Sequence, residues 1–260
     1  MKIVLPFMRS LMALRSVQLA ATNHNHAVGS DTPTSSIDGL PPLDDGATRL
    51  FLVRHGDAGH HPTAAIDAEL TDMGRYQAHR LGQTLRATLL AEGMDVVVSS
   101  HWQRASQTAD ILVQALMEST DANHHHHHPV RIINHKFGEM QHDAVTRTES
   151  VDDVAQRTTA GVQQVLRGFP HARHVCVVGH SQEHSHLTQA LLGLTTTSTL
   201  PLLAPTAVHV VDVAQDGRHK AHVLNYSEHL GNPEDKEETT MNPFPATIRN
   251  NMVDNGGSFQ

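Results

Sequence analysis

The chain has 260 residues and a net charge of −8 with its 23 histidines counted as neutral. That length accommodates one α/β domain of ordinary size with a self-sufficient core, and the acidic balance leaves no basic surplus to draw the chain to nucleic acid or an anionic membrane. No stretch reaches the roughly 18 to 20 apolar residues of a membrane-spanning helix, and a single cysteine, Cys176, excludes an internal disulfide.

Residues 1–30 contain Lys2, Arg9 and Arg15 and no acidic side chain, a composition shared by disordered leaders and organelle-targeting segments. The lone cysteine suits a reducing compartment, so the cytoplasm is expected, with the mitochondrion as the alternative. From Gly29 to Gly46 the sequence is rich in Ser, Thr, Pro, Asp and Gly without apolar periodicity and reads as a linker. The expected organisation is a disordered leader and linker over 1–46, a folded domain over 47–230 and a polar tail over 231–260.

The first element is the apolar run Leu50–Val53, which suits a strand buried on both faces. A loop with Arg54-His55-Gly56 follows. Thr71 or Asp72 then caps a helix in which Met73, Ala78, Leu81, Leu85 and Leu89 recur at helical spacing, ending at Gly93. Val96–Val98 is a second buried strand opening into Ser99-Ser100-His101. Arg104 begins a second helix, with Ala105, Ala109, Leu112 and Leu116 on one face.

The run His124–His128 with Pro129 reads as a solvated low-complexity loop, since consecutive histidines offer a metal no fixed geometry; its role stays open. A short strand over Val130–Ile133 is followed by a helix over Val151–Leu166, weakened by Thr158, Thr159 and Gly161. Val175–Val178 is a further strand, with Cys176 as a small core residue rather than a nucleophile. Gly179-His180 lies just past it, Gln182–Leu192 is helical, and Ala207–Val213 with Ala221–Asn225 form a strand pair turned at Gln215-Asp216-Gly217.

Alternating strands and helices imply an α/β three-layer sandwich, a mostly parallel sheet with helices on both faces. Such sheets hold ligands at the carboxyl ends of their strands. Three strands end there in groups suited to phosphate: Arg54-His55, Ser99 to Arg104, and Gly179-His180. A neutral imidazole at His55 can attack phosphorus. Arg54 and Arg104 can each grip two phosphate oxygens in a planar fork. His180 can donate from the far side, helped by backbone N–H groups of the helix beginning near Ser181.

At these residues the chain resembles a family. Leu52-Val-Arg-His-Gly-Asp-Ala58, Leu70-Thr-Asp-Met-Gly-Arg-Tyr-Gln-Ala78, Ser99-Ser-His-Trp-Gln-Arg-Ala-Ser-Gln-Thr-Ala109 and Val177-Val-Gly-His180 are similar, in order and spacing, to the motifs of the histidine phosphatase, or phosphoglycerate mutase-like, superfamily. The resemblance extends over roughly residues 48–230. It implies His55 as nucleophile, Arg54 and Arg104 as phosphate clamps, His180 as the second pocket histidine, and neither metal nor organic cofactor. The Glu that many members carry before a Phe-Gly pair is replaced by Asn134, ahead of Phe137-Gly138. An amide cannot protonate a leaving alkoxide. Glu139 and Asp57 are the alternative acids, with Glu139 preferred, and the Arg-His-Gly-Asp-Ala form is also similar to the superfamily's small phosphohistidine phosphatases, whose imidazole leaving group eases the demand for an acid.

The leading expectation is a phosphatase acting on a phosphorylated small molecule or phosphoprotein through a phosphohistidine on His55, with Asp57 and Ser181 as further substrate contacts. A catalytically impaired phospho-ligand-binding protein and a phosphoglycerate mutase are the alternatives. The mutase is disfavoured because the Glu-containing stretch of true mutases is absent. Substrate identity and oligomeric state are not legible.

Overall fold

A computed structural model describes residues 33, 36–59, 67–89, 92–118, 128–140, 149–194 and 200–231. Strand β1 (Thr48–Arg54) is followed by α1 (Asp72–Thr88), β2 (Val96–Ser99), α2 (Gln103–Met117) and β3 (Val130–Ile133). A 3-10 turn (His135–Phe137) then leads to α3 (Val151–Gly168), β4 (His174–Gly179), α4 (Ser181–Leu191), β5 (Val208–Val213) and β6 (His219–Tyr226). Each element expected from the sequence between residues 48 and 226 is present, with boundaries shifted by a few residues.

The six strands form one sheet in the order β3-β2-β4-β1-β5-β6. The first four run parallel, while β5 is antiparallel to β1 and β6 to β5. The central strands are buried on both sides because their apolar side chains alternate between two cores. Phe51, Val53, Val97, Cys176 and Val178 face the core covered by α1 and α2 through Leu81, Leu85, Ala109 and Leu112. Leu50, Leu52, Val96, Val98, Val175 and Val177 face the core covered by α3 and α4 through Val162, Val165, Leu187 and Leu191. Burial pushes the Cys176 thiol up to about 12, which leaves it inert as the sequence suggested.

On β6 the alternation breaks, because Ala221 joins one core and Val223 the other. The cause is a bulge: the adjacent residues Val210 and Val211 of β5 pair with Val223 and Ala221, so β6 carries one extra residue there.

Local sequence sets the helix starts. Thr71 caps α1 by accepting the Gly74 N–H at 3.0 Å. Ser150 and Asp153 close a reciprocal capping box at the start of α3. The residues expected to weaken α3 have packing roles: the Thr158 hydroxyl donates to the Val154 carbonyl inside the helix, and a side chain at Gly161 would lie 2.9 Å from the Phe137 ring. Met73, expected on the buried stripe of α1, is instead 47% exposed; the buried face at this end of the helix is taken by its neighbour Gly74, which packs on Asp57.

The expected linker does not stop packing at residue 46. Ile37 is wholly buried in the core under α1 and α2, and Leu43 is also buried, so apolar residues scattered in a polar stretch can still supply core contacts. The segments 1–32 and 232–260, and His124 to His127 of the histidine run, lie outside the described residues; His128 is exposed. No helix among the described residues is long and apolar enough to cross a membrane.

Candidate active site

The carboxyl ends of β1, β2 and β4 lie side by side, and each delivers one part of the site. β1 ends at Arg54, and the next residue, His55, donates its backbone N–H to the Gly179 carbonyl at the end of β4. The His55 Nδ1–H donates to the Gly56 carbonyl at 2.7 Å. A carbonyl can only accept, so Nδ1 carries the proton and Nε2 presents its lone pair. Burial, with the Gly56 bond opposing it and Arg104 and Arg54 adding to it, pushes His55 down to about 3.

That Nε2 atom accepts from Arg104 Nε at 3.2 Å. Arg104 stands in the first turn of α2 and is nearly fully buried. Its guanidinium carbon sits 4.5 Å from the centroid of the Trp102 ring, which holds the fork in one plane. One end of the fork, Nη2, pairs with the Glu139 carboxylate and approaches His180 Nδ1 at 3.5 Å. His180 Nε2 shares a hydrogen bond with the Ser100 hydroxyl at 3.2 Å. The His180 and His55 rings meet edge to face with centroids 5.2 Å apart. Burial first, then the charges of His55 and Arg104, lower the His180 pKa well below the ordinary value.

Arg54 donates through Nη1 to the Leu203 carbonyl at 2.8 Å, the same oxygen that accepts from the Ser181 hydroxyl at 3.1 Å. Its Nε is buried with no hydrogen-bond partner among the described residues. Burial lowers the Arg54 pKa, Glu139 and Asp57 raise it, and Arg104 lowers it, so all four charges act in one neighbourhood.

Close backbone approaches hold this arrangement. A side chain on Gly56 would lie 2.5 Å from the Gly74 carbonyl oxygen, and one on Gly74 would lie 2.0 Å from that of Asp57. The loop carrying His55 therefore rests directly on the start of α1. Asp57 serves that junction, since its carboxylate accepts from the Thr71 hydroxyl at 2.7 Å.

Of the sequence candidates, Arg54, His55, Arg104, His180 and Glu139 come together. Asp57 and Ser181 lie at the margin with their side chains committed to Thr71 and to Leu203. Asn134 accepts the Lys136 N–H at 3.0 Å and so caps the turn 135–137. Sequence reasoning missed Thr108, whose hydroxyl accepts the Gly56 N–H at 3.0 Å and donates to the Arg104 carbonyl. It also missed the roles of Trp102 and of the buried pair Glu183 and His184. Thr108 lies one helical turn from Arg104, but only the fold brings Gly56 to that turn.

Among the described residues no three His, Cys, Asp or Glu side chains are grouped to hold a metal ion. A cavity of about 360 Å³ opens at the opposite, amino ends of the strands between Thr48, Phe169, Ala172 and Val213, and contains none of these residues.

Residues 50–125 match the family model of the histidine phosphatase superfamily (branch 1). No curated protein matches the sequence significantly. Solved structures share the fold. A mycobacterial glucosyl-3-phosphoglycerate phosphatase is 22% identical, covering 70% of this chain and 100% of its own, with a TM-score of 0.55. YhfR of Bacillus stearothermophilus is 21% identical, covering 70% and 99%, with a TM-score of 0.54. A phosphoserine phosphatase from Entamoeba histolytica, in complex with 3-phosphoglyceric acid, is 15% identical, covering 70% and 99%, with a TM-score of 0.53. The segment bearing Arg54, His55 and Arg104 thus matches the histidine phosphatase superfamily model, and the α/β fold built on it is the one these solved phosphatases share.

Proposed function

We propose that the protein is a phosphatase that hydrolyses a phosphomonoester through a phosphohistidine on His55. The observation that carries this reading is the His55 ring, held by Gly56 with its Nε2 lone pair facing the Arg104 fork. An imidazole that stays unprotonated down to about pH 3 is available as a nucleophile across the physiological range.

In this reading the phosphate lies among Arg104, Arg54 and His180, and the free Arg54 Nε gains an oxygen as partner. His55 Nε2 attacks phosphorus as the ester P–O bond breaks. Charge spread over the equatorial oxygens is matched by donors already in place, which is where most of the rate arises. Glu139, displaced from Arg104 by the phosphate and protonated from solvent, gives that proton to the departing oxygen. Water then attacks the phosphohistidine and returns a proton to the Glu139 carboxylate, releasing phosphate and restoring His55. Glu139 is supported by its contact with Arg104. No step calls for a metal.

The names of the structural neighbours, a glucosyl-3-phosphoglycerate phosphatase and a phosphoserine phosphatase, favour phosphorylated small molecules as the substrate class. A phosphorylated protein side chain is the second class to assay. One observation favours an alternative, a protein that binds phosphate without turning it over: Asn134, at the position where the resemblance calls for a Glu, is occupied as a turn cap.

Hydrolysis of an aryl phosphate and a panel of natural phosphate esters between pH 5 and 8, with chelator present, tests the reading. Loss of activity in His55→Ala and acid-labile labelling of the parent are expected. Absence of turnover in the parent, together with thermal stabilisation by inorganic phosphate that Arg54→Ala abolishes, establishes the binding protein instead. A gain of turnover in Asn134→Glu moves the proton donor from 139 to 134.

A further inference from the structure

Directly behind the site, α4 buries two ionisable side chains, Glu183 and His184, both with no exposed surface. A carboxylate and an imidazole in a core cost more than apolar side chains of the same size, and neither belongs to the phosphoryl-transfer steps proposed above. Their partners explain the placement. Glu183 Oε2 accepts the backbone N–H of His180 at 3.0 Å. The His184 Nε2–H donates to the Val53 carbonyl at 2.9 Å, one residue before the Arg54-His55 pair.

The two side chains also face each other, with Glu183 Oε1 3.4 Å from His184 Nδ1. Neither of these two atoms has a hydrogen-bond partner among the described residues, so each is the other's nearest polar group across the joint. The pair leaves no room for a side chain at position 179: a Cβ on Gly179 would lie 2.3 Å from Glu183 Oε2 and 3.0 Å from the His184 ring.

We propose that Glu183 and His184 are positioning residues for phosphoryl transfer, a buried carboxylate–imidazole joint that ties the β4 end carrying His180 to the β1 end carrying His55. Glu183 holds the His180 backbone in the extended conformation, φ −126° and ψ 162°, from which α4 starts. His184 holds the last peptide before Arg54. The joint sets the relation between the nucleophile and the donor opposite it, whose rings lie 5.2 Å apart. A misplacement of about 1 Å in such a pair can cost about 10²-fold in rate.

The inference rests on the phosphatase reading, and glutamine separates position from charge. In Glu183→Gln the amide oxygen still accepts from His180 and the amide N–H₂ faces His184 Nδ1, whereas Glu183→Leu loses the His180 bond and leaves His184 no polar group to face. Glu183→Gln is expected to retain kcat for an aryl phosphate within about threefold. Glu183→Leu and His184→Leu should fall about ten- to a hundredfold in kcat with KM little changed, well below their melting temperatures, and His184→Gln should recover part of the loss. A folded Leu variant with the parental kcat overturns the proposal, as does a Gln variant as impaired as the Leu one. Should Glu183→Leu not fold, Glu183→Ala, which leaves space for water on the His180 amide, is read in the same way. If the parent turns over no phosphate ester, the phosphatase reading fails, and orthovanadate affinity by calorimetry tests the joint instead. Affinity lost in Leu and kept in Gln supports it; equal affinities overturn it.

Discussion

The Glu139 carboxylate occupies one end of the Arg104 fork, where an incoming phosphate would also bind, and its side chain is 46% exposed. Once phosphate displaces it from the fork, a carboxyl group so placed can take a proton from solvent and pass it to the leaving group. Glu139→Gln is therefore expected to lower kcat about 10²-fold for esters of simple alcohols, whose alkoxides need protonation, and far less for an aryl phosphate with a good leaving group. Equal losses on both substrates would assign Glu139 to holding Arg104 instead. His55, Arg54, Arg104 and His180 were readable because each follows a recognisable apolar run within a few residues. Thr108 was not, because its contact with Gly56 forms only when separate strand ends meet; Trp102 and Glu183 lie close in sequence to Arg104 and His180, but residue types alone do not say that their side chains turn back onto those neighbours.

Helix α1 is the platform for the loop carrying His55, so damage to its start should reach the site. Thr71→Ala removes both the cap on Gly74 and the hydroxyl donated to Asp57. A loss of about 1 kcal/mol is expected, a fall of roughly 2 to 4 °C in Tm for a domain of this size, together with weaker phosphate binding. A Tm drop with unchanged phosphate binding would show that Asp57 keeps its place without Thr71. The packing of α1 on α2 depends on Gly82, where a Cβ would meet that of Ala115 at 2.5 Å and the Leu112 carbonyl oxygen at 3.0 Å. Gly82→Val should therefore cost on the order of 3 kcal/mol or more, read from urea unfolding, since two helix backbones rather than one side chain must move. Helix existence was legible from apolar spacing; the closeness of this crossing was not, because a glycine within a helical pattern does not reveal what passes over it.

Across the whole molecule, buried neutral imidazoles couple stability to pH. Burial pushes His55 and His209 to about 3 and His229 to about 4, against about 6.5 in an unfolded chain. Between these values the unfolded chain binds more protons than the folded one, so the stability these groups contribute is complete above about pH 6.5 and is lost as pH falls toward 4. Each ring contributes a slope of up to about 1.4 kcal/mol per pH unit in that window. Urea midpoints in phosphate-free buffer should fall from pH 7 to pH 5, and a flat profile would mean that the rings are charged in the folded protein. The sequence by itself determined the strand and helix order and the α/β class, and it singled out Arg54, His55, Arg104 and His180 as candidates, because apolar periodicity and strand-end motifs are local properties of the chain. Only the tertiary structure decided the antiparallel placement of β5 and β6, the burial of Ile37 within a polar stretch, the contact of Glu139 with Arg104 and the joint under His180. Each depends on which distant segments become neighbours, and burial and hydrogen-bond satisfaction settle that only once the whole sheet is assembled.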